Sequence, residues 1–308
     1  MKVASIAGLL TLSAPAVYGW GASGHQAVGY VAMQFLAPQA LSFVQSSLGS
    51  TYSQSLGPAA TWADEIKSNS AYAWASALHY VDAEDNPPTS CSVSQSRDCA
   101  NGRCILTAIS NYTSRVVDTS LSTTQRQEAL KFLDHFLGDI GQPLHVEALA
   151  VGGNDISVKC SGSTTNLHAL WDSGMINKLL PANYGGSVTT WADTLATRIK
   201  TGSYAPLASS WISCSSTTAP ATKRSIEDDI TGLLRPRAIT PLECPLVWAQ
   251  DTNSYDCTVV FNYTTGTDLC TSSYYTNAVP VIEQQLAKQG YRLAAWLNVL
   301  FDGSTNLP

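Results

Sequence analysis

Apolar residues recur along this chain at helical spacing, and alternation between apolar and polar positions is scarce. Near the C-terminus Ile282, Leu286, Leu293, Leu297 and Leu300 fall at steps of four, seven, four and three. On a period of about 3.6 residues these positions line one stripe, so the stretch is predicted as a core helix. Similar periodicity marks residues 25–48, 104–117, 125–140 and 167–180. Strand-like alternation is confined to residues 156–159 and 258–261, each too short to found a sheet. The pattern predicts an all-α fold without internal repeats. One stretch departs from it: residues 214–244 are polar and of mixed charge, with Lys223, Arg224, Glu227, Asp228, Asp229, Arg235 and Arg237. It reads as a disulfide-closed surface excursion without a catalytic role, because charge runs usually face solvent.

Composition places the chain outside the cell. Residues 1–19, MKVASIAGLLTLSAPAVYG, have a basic start, an apolar stretch and small residues before a cut, which is the form of a secretory signal. The mature chain is then expected to run from residue 20 to 308 as one domain, since no linker divides it and this length buries a large core. No later segment reaches the roughly 20 apolar residues of a spanning helix, so no membrane contact is expected. Eight cysteines and two N-x-T sequons, at Asn111 and Asn262, agree with an oxidising, glycosylating route to a secreted, extracellular protein. The net charge of −6, with 13% charged residues, excludes a basic surface for gripping duplex through its phosphates. If the substrate is nucleic acid, metal must supply the positive charge. No protein partner is implied, and a monomer is expected.

The chemistry centres on five histidines, His25, His79, His135, His145 and His168. His135 and Asp139, and again His168 and Asp172, are four residues apart, which puts each pair on one helix face. Gly141, Gln142 and Pro143 break the first helix so that His145 follows at once. Asp139, placed between two imidazoles, can bridge two metals through its two oxygens. Upstream, Asp64 in TWADEIK and His79 in LHYVDAEDNPP extend the set. Imidazoles and carboxylates are zinc ligands, and a converging set can hold a cluster that makes hydroxide from water near neutral pH. No histidine falls outside this pattern, which points to a zinc hydrolase.

WGASGH, TWAD, LHYVDAEDNPP, HFLGDIGQPLH, GGN and NLHALWD, in that order, resemble the fungal single-strand-specific zinc nucleases of the P-one and S-one type, over nearly all of residues 20–302. The resemblance implies a single-domain helical fold of the phospholipase C and P-one nuclease type, with three zinc ions in a cleft. Asp64, His79, His135 and Asp139 would hold one zinc. His145, His168 and Asp172 would hold a second. Trp20, through its α-amino group and carbonyl oxygen, would hold the third with His25 and Asp139. That amino group exists only after residues 1–19 are removed, so maturation would complete the third site.

The resemblance further implies in-line attack on phosphorus and rupture of the P–O3′ bond in single-stranded DNA and RNA, giving 5′-phosphates, with 3′-mononucleotides as further substrates. Lys67 and Asn154 match the family's phosphate-facing pair and Asp64 its catalytic carboxylate; Lys67 stands where many relatives have Arg, a point charge in place of a planar fork. Tyr80, Asp82 and Val151 match a base pocket, together with Asn154. Ser163 and Gly174 stand where some relatives carry two stacking tyrosines, so a second base site of that kind is not expected. Trp171 is read as core packing. The resemblance pairs Cys99 with Cys104 and Cys91 with Cys257. The remaining Cys160, Cys214, Cys244 and Cys270 allow three pairings, of which Cys214 with Cys244 is preferred. A zinc phospholipase C is the nearest competing class, and YVDAEDNPP with GGN favours the nuclease.

Overall fold

A computed structural model of the chain describes residues 20–215 and 243–308. The expected signal segment, and the excursion between its two cysteines except for a few residues at each end, lie outside the described residues.

The fold is helical, as the periodicity predicted. Its main elements are α1 (Ala22–Met33), α2 (Pro38–Leu48), α3 (Ile105–Val117), α4 (Thr123–Asp139), α5 (Met175–Tyr184), α6 (Val188–Lys200), α7 (Glu243–Tyr255) and α8 (Ser273–Asp302). The periodic run over residues 25–48 divides into α1 and α2. Pro38 cannot extend a helix that precedes it, and Ala37 before it is extended, with φ −72° and ψ 163°. α4 begins with a capping box in which Ser122 and Gln125 satisfy each other's backbone N–H groups.

α8 is the spine of the molecule and packs against α1, α2, α4 and α6. Ile282, Leu286, Leu293 and Leu297 are fully buried, and Leu300 is half-buried at the helix end. Trp296 crosses to α3, where its Nε1 donates to Thr113 Oγ1 at 2.8 Å. Trp171 is buried and its Nε1 donates to Tyr274 Oη at 2.7 Å, which is the packing role expected for it.

Both strand expectations need correction. Residues 156–159 do contribute a strand, shifted to Ser157–Cys160, and it pairs antiparallel with Ser163–Asn166 to make the one sheet among the described residues. Residues 258–261 do not form a strand. They lie largely in a π-helical turn, Asp256–Val260, that continues directly from α7. Thr258 Oγ1 donates to the Ser254 carbonyl four residues back, at 3.1 Å, and this helical bond overrides the strand preference of the β-branched run.

Four disulfides use all eight cysteines. Cys91–Cys257 and Cys99–Cys104 are joined as the resemblance implied, and Cys214–Cys244 as the sequence favoured. Cys160–Cys270 is the remaining bond. It ties the first strand to the segment that leads into α8. Asn111 and Asn262 are both exposed.

Candidate metal centre

Six segments carry the histidines and aspartates to one place. α4 supplies His135 and Asp139, and the turn Pro143–His145 after it supplies His145. α1 supplies His25. Its ring can lie over α4 because Gly138 there has no side chain; a Cβ at that position would stand 2.7 Å from His25 Nδ1. The short helix Trp62–Glu65 supplies Asp64, and His79 ends the 3-10 segment Ser70–Leu78. His168 stands just before a π-helical turn, Leu170–Gly174, that contains Asp172, a form that recurs at functional sites. The turn leaves the pair facing each other, with Nε2 of His168 3.2 Å from Oδ2 of Asp172.

Asp139 sits at the middle. Its Oδ2 lies 2.9 Å from His79 Nδ1 and 3.2 Å from His135 Nε2, while its Oδ1 lies 3.2 Å from His25 Nε2 and 3.5 Å from His145 Nδ1. The two oxygens therefore face different imidazole sets, the disposition a bridging carboxylate needs. Asp64 Oδ1 lies 3.4 Å from His135 Nε2. Three groups of ligand atoms result, each spanning no more than 4.8 Å: His25, His135 and Asp139; Asp64, His79 and His135; His145, His168 and Asp172.

Backbone carbonyls orient the rings. Nδ1 of His135 lies 2.6 Å from the Ala60 oxygen, Nδ1 of His145 2.8 Å from the His79 oxygen, and Nδ1 of His168 2.7 Å from the Gly152 oxygen. A carbonyl only accepts, so each Nδ1 carries a hydrogen and Nε2 is the lone-pair nitrogen, the outer-shell arrangement of metal-binding histidines. Gly152 reaches His168 with φ +56° and passes so near the Leu144 oxygen, 2.5 Å from where a Cβ would stand, that only glycine fits.

The charges in this site are poorly satisfied by protein alone. Burial pushes the His79 imidazole down to about 3, despite the Asp139 carboxylate beside it. Burial and then the neighbouring His135 lower His25. Burial also works against a charged His135, but Asp139 and Asp64 outweigh it and raise that group to about 10. In the same contest, His135 holds the half-buried Asp64 and the buried Asp139 below the ordinary carboxylate range. Burial raises Asp172 well above that range. His79 Nε2 is buried with no hydrogen-bond partner. Lone pairs of imidazole and carboxylate, buried and converging, fit divalent zinc.

A cleft of about 750 Å³ opens over the site and is lined by Gly21, Asp64, Lys67, Asn154, His168 and Asp172. Trp20 is buried at its edge, and the Gly21 N–H donates to the Asp172 oxygen at 2.7 Å. Lys67 Nζ is 2.6 Å from Asp64 Oδ1. A smaller pocket of about 90 Å³ adjoins the cleft and is lined by Tyr80, Asp82, Glu147, Val151, Asn154 and His168. Asn154 and His168 belong to both. Tyr80 is half-buried and Val151, with φ +57°, is 60% exposed. Of the expected residues, Asp64, His168 and Asp172 line the cleft with Lys67 and Asn154, Tyr80, Asp82 and Val151 line the smaller pocket, and Trp20, His25, His79, His135, Asp139 and His145 are buried.

A model of the S1/P1 Nuclease family matches residues 20–302. The chain belongs to the S1/P1 nuclease family. Among relatives, Nuclease P1 of Penicillium citrinum is 43% identical over 282 residues, covering 91% of this chain and 97% of that protein. Nuclease S1 of Aspergillus oryzae is 40% identical over 288 residues, 92% of each. The S1/P1 family reaches plants, and Endonuclease 2 of Arabidopsis thaliana is 32% identical over 303 residues.

Two residues of this S1/P1 site were missed in the sequence. Gln142 is buried and donates through Nε2 to Asp172 Oδ1 at 2.6 Å, while its Oε1 accepts from Leu144 N at 2.7 Å. It orients Asp172. Glu147 lines the smaller pocket and is 2% exposed. Burial, and then the Asp85 carboxylate, push it up to about 8 in spite of the Leu149 N–H that it accepts at 2.7 Å. A Gln after a helix end and a Glu two residues past His145 carry no spacing signal. Only the position of Gln142 between two ligand-bearing turns hinted at it.

Proposed function

We propose that the chain is a secreted, zinc-dependent endonuclease that cleaves P–O3′ bonds in single-stranded DNA and RNA, leaves 5′-phosphates and removes phosphate from 3′-mononucleotides. The observation that carries this reading is the junction of the His/Asp cleft with a small base-sized pocket through Asn154 and His168. Asp64, His79, His135 and Asp139 hold one zinc; His145, His168 and Asp172 a second; and the Trp20 amino group and carbonyl, His25 and Asp139 a third. Zinc bound there offsets phosphate charge and brings the ionisation of water towards neutral pH.

The chain's own groups do the rest. Lys67, on the cleft wall beside Asp64, and Asn154 present donors to the oxygens of the scissile phosphate, where charge grows in the transition state. Asn154 Nδ2 donates to the Val151 oxygen at 2.8 Å, which ties the phosphate contact to the pocket wall. A base enters between the Tyr80 ring and the Val151 side chain and meets the Asp82 carboxylate at its edge. Any base has a flat face to stack, but a duplex keeps that face covered, and the narrow pocket selects unpaired strands for that reason. Export, glycans at Asn111 and Asn262, and a monomeric state belong to the same reading. It is supported by the disulfides, by the exposure of both asparagines and by the lack of any helix among the described residues able to span a membrane.

The test is digestion of one oligonucleotide as a single strand and as a duplex, with and without chelator, followed by end-group analysis. Chelator-sensitive cleavage of the single strand with 5′-phosphate ends is expected. Equal cleavage of the duplex, or turnover of phosphatidylcholine in place of DNA, contradicts the reading.

A further inference from the structure

Arg103 lies in the turn that borders Tyr80 and the small pocket, outside the lining of both cavities described above. It belongs to the turn closed by Cys99–Cys104, in which Asn101 Oδ1 accepts from the Arg103 N–H at 2.8 Å. The turn is sewn to the pocket wall, because the Ile105 N–H donates to the Tyr80 oxygen at 2.9 Å. From there the side chain reaches Trp74, whose carbonyl accepts from Nη2 at 3.3 Å. The charge is felt at the Tyr80 hydroxyl, where it partly offsets the upward push of burial and Asp82.

Three guanidinium groups are engaged by carboxylates, Arg97 by Asp98, Arg198 by Glu283 and Arg292 by Asp251, and Arg126 is engaged by the Val116 oxygen and the Phe43 ring. Arg103 is exposed, and no carboxylate lies within ion-pair distance of it among the described residues. One contact to a neutral carbonyl leaves most of its five donors for a ligand, in the planar fork that matches a phosphate. In a chain of net charge −6, such a group beside a nucleotide pocket is a local point of attraction for a polyanion.

We propose that Arg103 binds the 5′-phosphate of the nucleotide whose base occupies the Tyr80–Val151 pocket, a second phosphate subsite in addition to that of Lys67 and Asn154. This rests on the single-strand nuclease reading, in which the 3′-phosphate of that nucleotide is the one attacked. A strand in the site is then held by phosphates on both sides of one base. The subsite distinguishes a nucleotide within a chain, or one bearing a 5′-phosphate, from a simple 3′-mononucleotide.

The experiment compares zinc-loaded wild type and Arg103→Gln on a nucleoside 3′-monophosphate and on the corresponding 3′,5′-bisphosphate, which differ only in the group that Arg103 would hold. Gln keeps a donor for the Trp74 carbonyl. Wild type is expected to show a KM about tenfold lower for the bisphosphate, the scale of one charge-assisted contact. Arg103→Gln is expected to erase that preference while kcat/KM on the monophosphate stays unchanged. An unchanged preference overturns the proposal, as does an equal loss on both substrates, which would mean that Arg103 only supports the pocket wall.

If wild type does not hydrolyse the monophosphate, the nucleotidase reading fails and the subsite is decided by binding. The affinity of a phosphorothioate single strand is followed against salt. Loss of about 0.7 from the log–log slope in Arg103→Gln supports the contact, and an unchanged slope removes it.

Discussion

At the scale of single residues, the candidate ligand cluster was legible because the chain spends so few histidines, and all five lie in the three groups that could hold metal. Tyr80, Asp82 and Val151 were legible only through resemblance; nothing in their spacing marks a pocket. Lys67 looks like a solvated helix residue until its cleft position beside Asp64 is known. Lys67→Ala is expected to lower kcat by about 10²–10³-fold, as loss of one donor to a charged transition state does, while zinc content is unchanged. Steady-state kinetics with metal analysis check this, and Lys67→Arg should restore most of the rate. Glu147 gives a stability prediction. Its folded value, about 8, is above that of an unfolded glutamate, so the folded state holds a proton that the unfolded chain gives up. Stability from this group is complete at acid pH and is lost as pH rises from the unfolded value, about 4.3, through about 8. Thermal melts of Glu147→Gln against wild type should therefore show the variant gaining ground between pH 5 and pH 8.5. A constant difference would place the group outside this account.

At the scale of elements, periodicity located the long helices well and their interruptions poorly. α8 and α4 were plain because apolar residues repeat along them, but the break at Pro38 between α1 and α2 was passed over in a run that reads as continuous over 25–48. The two π-helical turns were not legible. One carries Asp172 within a helical pattern that reads as continuous, and the other is built from Thr258, Val259 and Val260, whose branching imitates a strand. Tertiary contacts decided both. The Cys91–Cys257 bond anchors the second turn to the segment after the base pocket and spans 166 residues, against five for Cys99–Cys104. Chain entropy makes the long bridge worth about 5 kcal/mol and the short one about 2 kcal/mol. Denaturant unfolding of the two double alanine variants should rank them in that order, and a larger loss from the short bridge would mean that its turn has a packing role beyond loop closure.

At the scale of the whole molecule, an acidic helical protein takes a polyanionic substrate only where positive charge is supplied locally. The structure brings histidines and aspartates into three groups that could hold metal, two of which share His135, beside a small pocket lined by Tyr80, Asp82 and Val151. Composition alone excluded duplex binding by a basic face and pointed to metal; the fold explains how residues spread from Gly21 to Asp172 line one cleft. The central claim is the trinuclear site, and a zinc count per chain tests it most directly. Protein whose chain starts at Trp20 is expected to carry about one zinc per ligand group, three in all, and a variant with one residue added before Trp20 about one fewer. A count near one in the first protein, or equal counts in the two, would contradict the assignment.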